Sequence, residues 1–299
     1  MIACDLGSNT LRVVEFNPFT CKPIQTFEKI VRTAKGLHDT KRIGIEAEEN
    51  ILNALQIASA QFDFTQPSVC VTTEAMRIAT NANEIIERIY TTFGLKFQII
   101  SGEEEAHYTA LAIEHALRRE GLRDDTYALF DLGGGSTEIT FCTHGIKQSQ
   151  SFPFGIVTTA ERFKEKLNKG ITHTLAMLDT FIGEHAPTNQ YQQLIATAGT
   201  PTTVAAFLQG LDYEHYDSAK VNGTSLHVSD FTRAYTQLTA MTLQEAERYT
   251  GTHRKDLVEV GILLCLAIMQ KLGFEHCIVM DDGLREGVAI SNCNKVVSS

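Results

Sequence analysis

Asp5-Leu6-Gly7-Ser8-Asn9-Thr10, near the start of the chain, is echoed near its middle by Asp131-Leu132-Gly133-Gly134-Gly135-Ser136-Thr137-Glu138. Each stretch follows a short apolar run, Ile2-Ala3-Cys4 in the first case and Tyr127-Ala128-Leu129-Phe130 in the second. A second strand-like run follows each, over 11–16 and 139–142. The repeated unit is strand, aspartate, glycine-rich hairpin, strand. Small residues let backbone N–H groups approach phosphate oxygens closely, and the hydroxyls of Ser8, Thr10, Ser136 and Thr137 add donors. Asp5 and Asp131, at strand ends beside these turns, are where a divalent cation would be held. Two such hairpins facing each other across a cleft would clamp a phosphate chain. Neither is a Walker loop, because no Gly-Lys-Ser/Thr follows, and neither is a Rossmann fingerprint, because a strand rather than a helix comes next.

Working outward from the first hairpin, apolar periodicity predicts a strand meander over 1–33, a helix over 47–62, a strand over 69–73, a helix over 81–93 stopped by Gly94, and a strand over 97–100. Ser101 then opens a helix to about Arg119. The second hairpin restarts the arrangement. Helices are predicted over 157–168, 173–185, 200–210, 229–240, 243–249 and 254–272, then a strand over 277–280 and a closing helix from about Gly283. Strands alternating with helices indicate an α/β layer, here built twice. The polar stretch over 118–125 marks the boundary, giving an N-terminal domain over 1–120 and a C-terminal one over 121–299, with the last helix able to pack back on the first.

The 299 residues suit two domains of ordinary size, and 43% hydrophobic content supports a sizeable core. Asp5 interrupts what would have to be an uncharged apolar leader, and the longest apolar run, 260–269, is too short to cross a bilayer. Seven scattered cysteines, never spaced Cys-x-x-Cys, read as reduced thiols of a cytoplasmic protein. A net charge of −10 argues against general nucleic-acid binding. A polyanion site on so acidic a chain requires local cations: a metal and a few arginines aimed at the substrate. An apolar face on the helix over 254–272 would support a homodimer.

Ser101-Gly102-Glu103-Glu104-Glu105 places three carboxylates in the first turn of a helix, where the macrodipole favours them by about 0.3–1 kcal/mol each. Ser101 as N-cap makes Glu104 the partner in a capping box, which accounts for Glu104 structurally. Glu103 reads as solvated. Glu105 lies on another face and is not needed by the cap, so it is the carboxylate available for chemistry.

These residues resemble the exopolyphosphatase / guanosine pentaphosphate phosphohydrolase (Ppx/GppA) family, part of the actin-like superfamily. The resemblance spans essentially the whole chain. It is carried by 5–10 with Arg12, Thr73-Glu74-Ala75-Met76-Arg77, 101–106, 131–138, Ala198-Gly199-Thr200-Pro201-Thr202-Thr203, Arg254, and Gly283-Leu284-Arg285-Glu286-Gly287. It implies two actin-like (ribonuclease-H-like) α/β domains with an interdomain cleft. It also implies Mg²⁺-dependent removal of a terminal phosphate from inorganic polyphosphate or from the 5′ end of guanosine pentaphosphate. By the match, Glu105 is the general base, Asp131 and Glu138 bind metal or position water, and Asp5 assists. Gly133, Gly134, Gly135 and Ser136 form one phosphate clamp, Ser8 and Asn9 the other, with Gly199-Thr200 a third anion turn. Arg12 and Arg254 are the arginines of the cleft.

Some matched residues also have purely structural readings. Arg77 follows Glu74 by three positions, as a local ion pair would. Arg285-Glu286 suits capping or packing, and Asp281-Asp282 suits a cap of the last helix. Two departures stand out: Ala198 replaces a glycine common in the third loop, and the chain ends at 299 without the C-terminal helical domain of longer members, which favours short polyphosphate or the nucleotide. The alternatives are a phosphotransferase of the same superfamily and a non-hydrolysing sensor of the guanosine alarmone.

Overall fold

The computed structural model describes every residue except Pro18, Cys21, Lys164, Glu165, 187–190, His253, Ser298 and Ser299, and omits the side chains of 294–297. The chain divides into two compact units, Met1–Ala112 with Gly283–Ser299, and Ile113–Asp282. The division falls within the helix Gly102–Arg119 rather than in the polar stretch after it.

The first unit is built on β1 (Ile2–Leu6), β2 (Thr10–Asn17), β3 (Lys22–Ile30), β4 (Ser68–Thr72) and β5 (Phe97–Ile99). Their order is β3-β2-β1-β4-β5. β1, β2 and β3 form an antiparallel meander, while β4 lies parallel to β1 and β5 parallel to β4. Every residue of β1 is buried, as expected of a strand covered on both faces. On one face Ala3, Val14, Phe16 and Val71 pack with Leu284, Val288 and Ala289 of the closing helix Leu284–Val297. That helix comes close because of Gly287: a Cβ there would stand 1.8 Å from the carbonyl oxygen of Tyr108.

The second unit holds β6 (Thr126–Leu132), β7 (Thr137–Thr143), β8 (Ile146–Phe152), β9 (Leu194–Thr197), β10 (Thr224–His227) and β11 (His276–Val279), in the order β10-β11-β9-β6-β7-β8. Again three strands, β6, β7 and β8, form an antiparallel meander, with β9 parallel to β6 and β11 parallel to β9. Apart from the added edge strand β10, this order repeats that of the first sheet. The duplicated hairpin therefore belongs to a duplicated sheet, the arrangement of two actin-like α/β halves. The core of this unit is the helix Lys255–Leu272, whose Val258, Ile262, Leu264, Cys265, Ile268 and Met269 are fully buried. Leu263, Leu266 and Ala267 of the same helix are half-buried.

Most predicted elements occur within a few residues of their expected bounds. Three strands, β8, β9 and β10, were not predicted. The helix expected over 173–185 is two, Leu167–Ala176 and Asp179–His185. Cys21 lies outside the described residues; the other six cysteines are buried and form no disulfide. Among the described residues, no helix is long and apolar enough to cross a membrane.

Candidate active site

Parallel strands present functional residues at their carboxyl ends, and each unit is described in turn from that end of its own sheet. In the first unit the β1–β2 turn is closed by the Gly7 N–H donating to the Thr10 carbonyl at 3.0 Å. In the second, the Gly133 N–H donates to the Ser136 carbonyl at 3.1 Å. Both turns are also gripped from behind. The Ser8 carbonyl accepts from the Ala34 N–H (2.8 Å), and the Asn9 carbonyl accepts from the N–H groups of Val31 and Arg32, both at 2.9 Å. The Gly133 and Gly134 carbonyls accept from Ile156 (3.0 Å) and Val157 (2.9 Å) at the start of the helix Ile156–Phe163, and the Gly135 carbonyl from Thr158 Oγ1 (3.3 Å).

In a trans peptide the carbonyl of one residue and the N–H of the next point in opposite directions. With these carbonyls turned inward, the N–H groups of Asn9 and Thr10 in one hairpin, and of Gly134, Gly135 and Ser136 in the other, are turned outward. The second set forms a backbone nest of the kind that binds anions. Gly155 makes the close approach possible, since a Cβ there would fall 2.5 Å from the Gly133 carbonyl oxygen.

The strand registers place a row of polar residues beside each turn. Asp5 opposes Arg12, which opposes Glu28, and Arg12 Nε donates to Glu28 Oε2 at 2.9 Å. Asp131 opposes Glu138, which opposes Ser151, and Ser151 Oγ donates to Glu138 Oε1 at 2.6 Å. Directly opposed residues share a face of the sheet, so each strand-end aspartate has a charged neighbour: an arginine in one copy, a second carboxylate in the other. Ser151 was not foreseen, because β8 carries no apolar signal. Among the described residues no group of three or more His, Cys, Asp or Glu side chains converges on one point.

Glu105 stands in the first turn of the helix Gly102–Arg119, after β5. The capping box beneath it is formed: the Ser101 N–H donates to Glu104 Oε2 at 2.8 Å and the Glu104 N–H to Ser101 Oγ at 3.1 Å. Glu105 instead receives Arg77, from the short helix Glu74–Ile78 after β4. Arg77 Nη1 donates to Glu105 Oε2 at 3.0 Å and to the Ile100 carbonyl at 2.7 Å, while its Nε donates to Glu74 Oε2 at 3.0 Å. Burial alone would pull the Arg77 guanidinium down; Glu105 and Glu74 more than reverse this and hold it above its ordinary value. Arg77 thus forms the local ion pair read from its spacing and, in addition, holds Glu105 in place.

The third turn follows β9. Ala198 takes φ 78, ψ −177, backbone that glycine adopts readily and other residues rarely. Gly199 opens the helix Gly199–Leu208, and a Cβ there would sit 2.6 Å from Arg254 Nη2, so the buried Arg254 guanidinium lies against this turn. The Thr200 side chain is fully buried against Gly261 of the helix Lys255–Leu272. From Thr200 the backbone N–H, not the hydroxyl, is the group placed to meet an anion at the start of the helix.

Elsewhere the acids have structural partners. Asp282 does not cap the last helix; it accepts both Nη1 and Nη2 of Arg119, at 3.0 and 2.8 Å. The Gly283 N–H is taken by Glu286 Oε2 at 3.0 Å, and Arg285 Nε donates to Glu286 Oε1 at 2.5 Å. Arg285-Glu286 has the capping role.

A structure of the Aquifex aeolicus member of the Ppx/GppA protein family matches 100% of this chain and 98% of its own, at 25% identity and TM-score 0.75. An exopolyphosphatase from Cytophaga hutchinsonii matches 98% of this chain and 97% of its own, at 24% identity and TM-score 0.83. The model of the Ppx/GppA phosphatase family matches residues 13–296. With that match over nearly its whole length and the same two-sheet fold, the chain belongs to the Ppx/GppA phosphatase family.

Proposed function

We propose that this protein is a Mg²⁺-dependent phosphoanhydride hydrolase that removes the terminal phosphate of inorganic polyphosphate or the 5′-terminal phosphate of guanosine pentaphosphate. The observation that carries the reading is the duplicated hairpin, with its outward N–H groups and strand-end aspartate, together with a helix-borne carboxylate held by a half-buried arginine. Family membership supports phosphatase chemistry in general, and the Cytophaga hutchinsonii relative is described as an exopolyphosphatase.

Phosphoryl transfer depends on positioning and charge neutralisation more than on covalent work. The N–H groups of Gly134, Gly135, Ser136 and Gly199 bind phosphate oxygens in the second unit, with Arg254 supplying positive charge beside Gly199. Ser8, Asn9 and Arg12 do the same in the first. Glu105, oriented by Arg77, accepts a proton from water as the water oxygen bonds to phosphorus and the anhydride P–O bond breaks. Orthophosphate and the shortened chain leave. Glu138, braced by Ser151, orients water beside Asp131.

The donor set fits magnesium. Asp131 and Glu138, opposed on neighbouring strands of the second unit, are hard oxygen ligands, and one or two carboxylates are as many as Mg²⁺ commonly takes, the remainder being water and substrate phosphate. When bound, the ion neutralises phosphate charge and fixes oxygen positions. The arginines and the ion together meet the need for local positive charge on a chain of net charge −10.

The test is phosphate release, with Mg²⁺, from short polyphosphate, long polyphosphate and guanosine pentaphosphate in parallel. Release without an acceptor from any of them supports the hydrolase. Nucleotide binding without turnover would replace it with a sensor, and transfer only to an added acceptor with a phosphotransferase.

A further inference from the structure

The glycine-rich turn of the second unit is gripped through three carbonyls, and they are not gripped alike. Those of Gly133 and Gly134 take backbone N–H groups, from Ile156 at 3.0 Å and Val157 at 2.9 Å. That of Gly135 takes a side chain, the Thr158 hydroxyl, at 3.3 Å. In the first unit both gripped carbonyls, of Ser8 and Asn9, take backbone N–H groups. Thr158 is therefore the point at which a side chain controls one of these turns.

The peptide it controls is one that faces an anion. The Gly135 carbonyl and the Ser136 N–H belong to a single planar unit and point opposite ways, so whatever fixes the carbonyl aims the N–H. Turning that unit changes ψ of Gly135 and φ of Ser136, and Gly135, lacking a Cβ, resists little. Thr158 is itself firmly seated. Its Oγ1 accepts the Gly155 N–H at 2.8 Å. Gly155 packs so closely on the turn that a Cβ there would fall 2.6 Å from the Gly134 carbonyl carbon. Thr137 Oγ1, on β7, donates to the neighbouring Phe154 carbonyl at 2.6 Å.

A cap of the helix Ile156–Phe163 would use part of this geometry. Thr158 is the third residue of that helix, and its oxygen satisfies the N–H of the residue preceding it, as half of a capping box does. A cap, however, needs an acceptor alone. The single hydroxyl proton lies within reach of two carbonyls, Gly155 at 3.2 Å and Gly135 at 3.3 Å. The Gly155 carbonyl already takes the Thr159 N–H at 3.0 Å, which favours Gly135 as the acceptor.

We infer that Thr158 is a positioning residue of the phosphate-binding nest: its hydroxyl, donating to the Gly135 carbonyl, keeps the Ser136 N–H aimed at a phosphate oxygen. The inference rests on the phosphohydrolase reading above and adds to it a residue that acts through the backbone.

The test compares wild type with Thr158→Val, which keeps the shape and removes the hydroxyl, and with Thr158→Ser, which keeps donor and acceptor. Each is titrated, with Mg²⁺, with imidodiphosphate, a pyrophosphate analogue that resists hydrolysis. Thermal melts and steady-state phosphate release from tripolyphosphate are measured on the same proteins. Thr158→Val should weaken imidodiphosphate by about tenfold, the low end for one hydrogen bond to a charged group. Its KM should rise by the same factor with kcat within about twofold of wild type, since the N–H is aimed before the reaction as well as during it. Thr158→Ser should bind as wild type does. A valine variant that melts lower yet binds with wild-type affinity makes Thr158 a helix cap alone and overturns the inference; so does a serine variant as weak as valine. Either result, with phosphate release by wild type, leaves the hydrolase reading standing. The expected affinities in a protein that releases no phosphate uphold the positioning role and defeat the hydrolase. Failure of wild type to bind imidodiphosphate overturns the inference, and phosphate release then decides the hydrolase separately.

Discussion

At the scale of single residues, Ala198 and Glu105 carry the most weight. Ala198 occupies backbone conformation that costs a non-glycine residue about 1–3 kcal/mol, at the start of the helix whose N-terminus meets Arg254. Ala198→Gly should therefore raise stability by about 1 kcal/mol, the strain relieved less the extra chain entropy glycine brings to the unfolded state; a shift in urea midpoint at unchanged slope would show it. That Ala198 is not glycine was legible in the sequence, but its strain was not, since a dihedral angle is set by how β9 meets the helix. Glu105 was separable from its neighbours by the capping box alone, and the box is present. Its partnership with Arg77 across 28 positions depended on β4 lying beside β5, which no local pattern shows.

At the scale of elements, hairpins were legible and polar strands were not. Asp-and-glycine turns between apolar runs announce themselves because few other structures need that pattern. β8, Ile-Lys-Gln-Ser-Gln-Ser-Phe, is an edge strand with mostly polar residues, and β9 has only four residues; both are specified by their neighbours. The glycines divide in the same way, between those an element requires and those it does not. Gly287→Ala would drive a methyl group into the Tyr108 carbonyl and part the closing helix from the helix Gly102–Arg119, costing about 3 kcal/mol, as overpacking does. Gly183, within Asp179–His185, has nothing within 4 Å of an added Cβ, and Gly183→Ala should instead stabilise by up to about 1 kcal/mol. Thermal melts of the two variants should move in opposite directions.

At the scale of the whole molecule, repetition is the organising fact. Both sheets share one strand order, both first turns are closed by the same hydrogen bond, and both place an aspartate one residue before the end of the first strand. One consequence of burial is testable for the whole fold. The hydrogen bond that Cys4 donates to Cys70, and then burial, push the Cys4 thiol above the usual 9.0, while burial pushes up Cys265 and Cys277, the latter to about 12. The folded state therefore holds protons that the unfolded state releases. Stability from these thiols is complete below about pH 9 and is lost as pH rises toward 12, at up to about 1.4 kcal/mol per pH unit for each thiol. Urea midpoints measured from pH 8 to 11 should fall, and Cys277→Ala should lessen the slope.

The central claim is that Glu105, positioned by Arg77, activates the attacking water. Its most direct test is single-turnover phosphate release from short polyphosphate and guanosine pentaphosphate by Glu105→Gln, with the dissociation constant of each substrate measured on the same protein. The account predicts a rate lower by about 10²- to 10⁴-fold, the range for loss of a general base, with substrate affinity within a few-fold of wild type. A variant that turns over at nearly the wild-type rate, or one that loses binding in proportion to rate, would contradict it.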